Sequence, residues 1–79
     1  MTNLEKYNKV FVTLMKKPVE ELPELKYQGI PEWDSFGHMN LVGELEELFG
    51  IMLSTPDVME FNSYLKGKEV LANYGVTIE

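Results

Sequence analysis

The sequence predicts a small all-α domain: a four-helix bundle of three main helices and one short helix, with a long loop between the first and second helices. Apolar residues recur at helical spacing in three segments, and Pro, Gly and capping residues separate those segments. No segment alternates like a convincing strand. The chain has 79 residues, which suggests one domain, residues 1–79, with a small core.

The first helix is predicted over residues 3–17, because one apolar stripe runs along it: Leu4, Tyr7, Val10, Phe11, Leu14 and Met15. Thr2 or Asn3 can cap its start, and Pro18 stops it. Pro and Gly residues argue against a regular helix or strand in the connection that follows, residues 19–33. The apolar residues of this loop predict that it packs back onto the helices.

The second helix is predicted over residues 35–49. Asp34 or Ser35 can cap its start, and Gly50 can end it. On a helical wheel one broad face, expected to point to the core, holds Met39, Leu41, Val42, Leu45, Leu48 and Phe49. The opposite, outward face holds Phe36, Asn40, Gly43, Glu44 and Glu47.

Two further helix starts follow. Ser54-Thr55-Pro56-Asp57 combines a capping hydroxyl with Pro at the first helical position, and it predicts a short third helix over residues 56–61. Asn62-Ser63 can cap the last helix, predicted over residues 64–73, whose core candidates are Leu65, Val70 and Leu71. Gly67 should weaken that helix by up to about 1 kcal/mol relative to Ala.

The charge is concentrated in one part of the chain. The window between Lys26 and Lys66 carries seven acids and no lysine, a charge of −7, and the remainder carries +1. A surface of one sign attracts partners of the opposite sign. We therefore expect these acids to bind a basic protein partner, in preference to the alternative that they serve only solubility. Nucleic acid is excluded, since binding phosphates needs clustered Lys or Arg.

Composition also restricts the chemistry. The chain has no cysteine and one histidine, which excludes disulfides, thiolate ligands, a cysteine nucleophile and a His-based metal cluster, and no metal site is predicted. Catalysis by this chain alone is not expected. No apolar run is long enough to span a bilayer, and the first residues lack a signal-peptide apolar region, so a cytoplasmic location is expected.

Ser35 has three interpretations. From pattern alone, Ser after Asp at a helix start is most often a cap. A nucleophilic serine would need a base, and His38 lies one turn away, but no oxyanion hole is suggested. Covalent attachment is the third interpretation, because a helix N-terminus would hold a phosphodiester next to free backbone N–H groups.

Asp34-Ser35-Phe36, followed by the apolar spacing of the second helix and by Leu45-Glu46-Glu47-Leu48-Phe49-Gly50, resembles the acyl carrier protein family. The predicted order of helices and loop resembles that family over the whole chain. Trp33-Asp34-Ser35 is similar to standalone carriers that serve dedicated ligases, including D-alanyl carrier proteins. The chain departs from the family motif at Gly37 and Asn40, where acids are common.

The resemblance implies that Ser35 bears 4′-phosphopantetheine and carries a thioester-linked acyl or aminoacyl cargo, in a specialised biosynthetic pathway. The implied partners are a phosphopantetheinyl transferase that uses coenzyme A and Mg²⁺, an acyl- or aminoacyl-loading ligase, and a synthase or transferase with a basic docking patch. The carrier would be a monomer and a substrate of the transferase, not itself an enzyme.

The resemblance also assigns a partner surface to the second helix: Phe36, Asn40, Glu44 and Glu47. The alternative for Phe36 is a side chain folded over the loop. Asp57 on the third helix either extends the acidic partner surface or is simply solvated. His38 and Met39 would lie at the mouth of a cargo pocket, where the imidazole would favour short, polar or aminoacyl groups. The alternative for His38 is a half-exposed residue with no cargo role. Met39, Met52 and Met59 are interpreted as core filling or as pocket residues.

A competing class remains open. An acidic helical adaptor that binds a basic protein partner, and is never modified, would show the same charge pattern and the same caps. Replacing Ser35 with Ala separates the two classes, because a carrier loses its function and an adaptor keeps its binding.

Overall fold

A computed structural model describes all 79 residues and shows an all-α fold without strands. Its four α-helices are α1 (Asn3–Met15), α2 (Ser35–Phe49), α3 (Thr55–Glu60) and α4 (Tyr64–Ala72). The predicted fold class is therefore confirmed. None of these helices is both long enough and apolar enough to cross a membrane.

Helix α1 begins with a reciprocal capping box. The Thr2 hydroxyl accepts from the backbone N–H of Glu5, and the Glu5 carboxylate accepts from the backbone N–H of Thr2. The helix ends at Met15, two residues before the predicted end, because Lys16 adopts a left-handed conformation with φ of 56°. The side chains of Tyr7, Phe11 and Met15 form the buried stripe.

The connection from α1 to α2 contains a 3₁₀ helix, Val19–Glu24, which the prediction of an irregular loop missed. Pro23 lies inside it, but so short a 3₁₀ helix needs few backbone donors. Its backbone bonds run from Glu21 to Pro18 and from Leu25 to Leu22. The loop does pack onto the helices, since the side chains of Leu22, Leu25 and Trp33 are buried.

Backbone hydrogen bonds tie this loop to the start of α4. The N–H of Tyr27 donates to the carbonyl of Asn62 at 2.9 Å, and the N–H of Tyr64 donates to the carbonyl of Leu25 at 3.1 Å. Gln28 turns the chain with a φ of 65°, and its N–H donates to the carbonyl of Trp33 at 2.8 Å. The segment from Tyr27 to Trp33, which leads to α2, is therefore bonded to Asn62 at its start and closed on itself by the bond between Gln28 and Trp33.

Helix α2 has the predicted bounds. Asp34 caps its start, and Gly50 ends it in the left-handed region with φ of 65°. Leu41, Val42 and Leu45 are buried as predicted. The inward placement of Met39 and Leu48 is wrong: their side chains are 62% and 40% exposed. The buried face of α2 is thus narrower than the apolar arc on the wheel.

Serines cap the last two helices. The hydroxyl of Ser54 accepts from the N–H of Asp57 at the start of α3, and that of Ser63 accepts from the N–H of Lys66 at the start of α4. Val70 and Leu71 are buried, but the core assignment of Leu65 is wrong, since it is 54% exposed. Tyr64 takes the inward position at the start of α4 instead.

The centre of the core is aromatic. Five rings meet there, from α1, the long loop and the segment from α3 to α4: Tyr7, Phe11, Trp33, Phe61 and Tyr64. The Tyr7 hydroxyl donates to the carbonyl of Tyr64 at 2.7 Å, and burial raises the pKa of Tyr7. These contacts fix the loop residue next to Asp34 and so position the start of α2.

Candidate functional site

Ser35 is the first residue of α2, and its side chain is exposed. The carboxylate of Asp34 accepts the backbone N–H of Gly37 at 2.8 Å, so Asp34 is the helix cap. The sequence alone allowed either Asp34 or Ser35 to be the cap. Because Asp34 takes the role, the hydroxyl of Ser35 is not needed to satisfy the helix end.

Two backbone donors stay free beside that hydroxyl. The N–H groups of Gly37 and His38 are bonded to the side chain and the carbonyl of Asp34. Those of Ser35 and Phe36 have no partner in the protein. Unpaired donors and the helix dipole make this helix N-terminus suited to an anionic group.

Tyr27 is the neighbour of Ser35 that sequence reasoning missed. Its hydroxyl lies 3.2 Å from the Oγ of Ser35, within hydrogen-bonding distance. The backbone bond from Tyr27 to Asn62 holds this tyrosine in place. No local signal could have found the contact, because it depends on how the long loop packs against the start of α4.

His38 is fully engaged inside the protein. Its Nδ1 accepts from the indole Nε1–H of Trp33 at 3.0 Å, and its Nε2 lies 2.8 Å from the carbonyl of Val58. This pairing requires the neutral tautomer with the proton on Nε2. Both ring nitrogens are thus used to join α2 to the loop and to α3, and neither is free to bind cargo.

A small cavity lies beside the start of α2. Its volume is about 190 Å³, and it is lined by Tyr27, His38, Val58, Met59, Phe61 and Asn62. Of the two residues assigned to a pocket mouth, His38 lines this cavity and Met39 does not. Met39, Met52 and Met59 are all more than 60% exposed, so their interpretation as core filling is wrong.

Gly37 is required by close packing of the loop. A Cβ at this position would collide with the backbone carbonyl oxygen of Glu32. Any other residue would therefore force the loop away from the first turn of α2. This packing explains why residue 37 is a glycine, whereas the family that the Asp34-Ser35-Phe36 motif resembles often has an acid there.

The outward face of α2 is acidic with an apolar residue at its start. Asn40, Glu44 and Glu47 are exposed, and Phe36 is 83% exposed. The molecule's one ion pair, Lys66–Glu60, lies elsewhere, so Glu44 and Glu47 keep free carboxylates. The structure therefore presents these predicted partner residues together on one surface.

Asp57 differs from the acids of α2. Its carboxylate accepts hydrogen bonds from the hydroxyls of Tyr74 and Ser54. The bond from Tyr74, followed by that from Ser54, lowers the pKa of Asp57 below its ordinary value. Part of this carboxylate is thus committed to holding α3 against the residues after α4.

No set of three or more acidic or histidine side chains is arranged to hold a metal ion. Comparisons with known proteins do not assign the chain to a family. No protein-family model, no curated protein and no solved structure matches it.

Proposed function

We propose that this protein is an acyl or aminoacyl carrier in which Ser35 bears 4′-phosphopantetheine. The observation that carries the proposal is the exposed hydroxyl of Ser35 at the start of α2, released from capping by Asp34. The Asp34-Ser35-Phe36 motif and the confirmed order of helices support the same assignment. The carrier would work in the cytoplasm as a monomer.

The residues around Ser35 fit a phosphodiester. The free N–H groups of Ser35 and Phe36 can donate to its oxygens, and the Tyr27 hydroxyl is close enough to the same Oγ to contribute a third donor. When attached, the group supplies a thiol that carries cargo as a thioester. The chain has no cysteine that could do this itself.

The surface next to Ser35 suits partner enzymes of the expected kinds. A phosphopantetheinyl transferase, a loading ligase and a synthase or transferase must each approach Ser35. All three would contact Phe36 as an apolar anchor, and Asn40, Glu44 and Glu47 as the polar part of the surface. Basic patches on those enzymes would complement the acids.

An unmodified acidic adaptor is the second candidate. The exposure of Phe36 and Met39 beside free carboxylates favours a protein contact whether or not Ser35 is modified. In an adaptor the Ser35→Ala variant would bind its basic partner as well as the wild type does. In a carrier the same variant would lose all transfer of cargo.

The deciding experiment is the intact mass before and after incubation with coenzyme A, Mg²⁺ and a promiscuous phosphopantetheinyl transferase. A gain of one phosphopantetheine group in the wild type, but none in Ser35→Ala, supports the carrier. Ser54→Ala and Ser63→Ala are matched controls, since both serines cap helices and should leave the mass gain intact. No gain on folded protein without an existing arm rejects the proposal.

The Ser35→Ala variant should remain folded, so unfolding would not explain a lost mass gain. Asp34 provides the cap, so the substitution removes only the contact with Tyr27. An exposed hydrogen bond of this kind contributes about 1 kcal/mol or less. A loss of modification in this variant would therefore report on the attachment site and not on unfolding.

A further inference from the structure

A second concave site lies between α1 and the second half of α2. It is an open groove of about 460 Å³ whose apolar lining includes Val10, Leu14 and Leu48. This volume lies within the range of about 300–1,000 Å³ that is typical of small-molecule sites. The groove explains the exposure of Leu48, which the wheel placed in the core.

This groove is separate from the candidate attachment site. Its α2 residues, Glu44 and Leu48, lie about 14 to 20 Å along the helix axis from Ser35, at about 1.5 Å per residue. It shares no lining residue with the cavity beside His38. An inference about the groove therefore does not depend on whether Ser35 is modified.

The rim of the groove is basic in an otherwise acidic molecule. Lys6 and Lys9 are three residues apart on α1, so both point to the same side of that helix, and both line the groove. Neither forms an ion pair. Glu44 is the one acid among the lining residues, so the charged side chains there sum to +1, against −6 for the whole chain.

We propose that this groove binds a single-chain amphiphilic anion, such as a free medium-chain carboxylate. The alkyl chain would cover Val10, Leu14 and Leu48 and remove their exposed area from water. The carboxylate would lie between the ammonium groups of Lys6 and Lys9. Apolar walls with a few charged groups at the rim are the usual composition of such a site.

Charge and size favour a free amphiphile over larger anionic partners. An anionic bilayer would be repelled by the net charge of −6, most of it carried by the window between Lys26 and Lys66. The groove also has the volume of one small ligand. A basic peptide is excluded as the occupant, because Lys6 and Lys9 would repel it.

The test is titration of the unmodified, ¹⁵N-labelled chain with dodecanoate below its micelle concentration, followed by NMR. The expected shifts lie in α1 and in the second half of α2 and spare the turn around Ser35. Dodecyltrimethylammonium has the same chain and the opposite charge, and it should bind at least about threefold more weakly. Equal binding of the two probes overturns the proposal.

Matched lysine variants test the headgroup contact. The double variant Lys6→Gln/Lys9→Gln should weaken dodecanoate binding about threefold to tenfold, the range expected for two exposed charge contacts. Lys16→Gln/Lys17→Gln makes the same change in net charge at the end of α1, outside the groove, and should bind as the wild type does. Both must first show wild-type helicity by circular dichroism.

Other results would also reject the site. Dodecanoate could fail to bind, its shifts could lie in the cavity beside His38, or the two double variants could lose affinity equally. Shifts of the groove by an acidic amphipathic peptide, with none by dodecanoate, would also overturn the proposal and identify a protein ligand instead.

Discussion

The indole of Trp33 donates a hydrogen bond to Nδ1 of His38 at 3.0 Å, across the junction between the long loop and α2. The other ring nitrogen of His38 lies 2.8 Å from the carbonyl of Val58 in α3. One imidazole therefore joins the loop, α2 and α3 next to Ser35. Its role in the fold is to hold the start of α2 in place.

Replacing this imidazole should destabilise the protein. His38→Phe keeps a ring but leaves the N–H of the fully buried Trp33 without an acceptor. A buried donor left unpaired costs about 1–3 kcal/mol, so we expect a loss of that size in urea unfolding. Asn40→Ala, an exposed change in the same helix, should cost less than about 0.5 kcal/mol. Equal losses in the two variants would contradict the role assigned to His38.

Local signals predicted most of the helix bounds. Asp34, Gly50 and Ser54 act on residues within one turn of themselves, so their chemistry is readable from the chain alone. The errors concern burial. Met39 and Leu65 are apolar and lie in helices, but their exposure depends on which helices pack beside them, and sequence does not give that arrangement.

The candidate site shows the same difference between local signals and tertiary packing. The motif beside Ser35 singled out this residue from the sequence, whereas no local pattern predicted the contacts of Tyr27 and His38. Tyr27 reaches Ser35 because its backbone is bonded to Asn62, and His38 meets Val58, twenty residues further along the chain. Such contacts arise from tertiary packing, which a single sequence does not encode in any local pattern.

Gly67, like Gly37, lies where a Cβ would have no room. A Cβ there would collide with the ring of Phe61 and the hydroxyl of Tyr7, both buried. Helix propensity predicts a gain of about 1 kcal/mol for Gly67→Ala, but overpacking predicts a loss of about 1–3 kcal/mol, and we expect the loss to dominate.

Gly43→Ala is the matched control for that prediction. Gly43 lies in α2, and a Cβ there would meet no atom within 4 Å. The substitution should stabilise the protein by about 0.5–1 kcal/mol. Thermal unfolding of the two variants should therefore shift in opposite directions, and a shift of Gly67→Ala to higher temperature would refute the packing argument.

Asp57 should give the protein part of its acid sensitivity. Hydrogen bonds from Tyr74 and then from Ser54 hold the pKa of Asp57 below 3.8. A depressed pKa in the folded state stabilises the protein above pH 3.8, and that contribution is lost as the pH falls through the folded value. Tyr74→Phe removes the larger cause, so the pKa should rise toward 3.8.

The measurement is an NMR titration of the Asp57 carboxyl carbon. Tyr27→Phe removes a hydroxyl elsewhere and should leave that titration unchanged. The destabilisation caused by Tyr74→Phe should also be greatest above the ordinary pKa of 3.8 and shrink as the pH falls below it. A destabilisation that grows as the pH falls would have the wrong sign for this hydrogen bond.

Phe36 should matter for partner enzymes and not for the fold. Its side chain is 83% exposed, so Phe36→Ser should change the free energy of unfolding by less than about 0.5 kcal/mol. If Phe36 anchors the transferase, the same change should lower kcat/KM for arm attachment about fivefold to thirtyfold, as expected for loss of an apolar anchor.

Leu65→Ser is the control, because Leu65 is also exposed but lies on α4. Its kcat/KM should stay within about twofold of the wild type, since the proposed partner surface lies on α2. Equal losses in the two variants would mean that the transferase reads general surface hydrophobicity and that Phe36 is not its anchor.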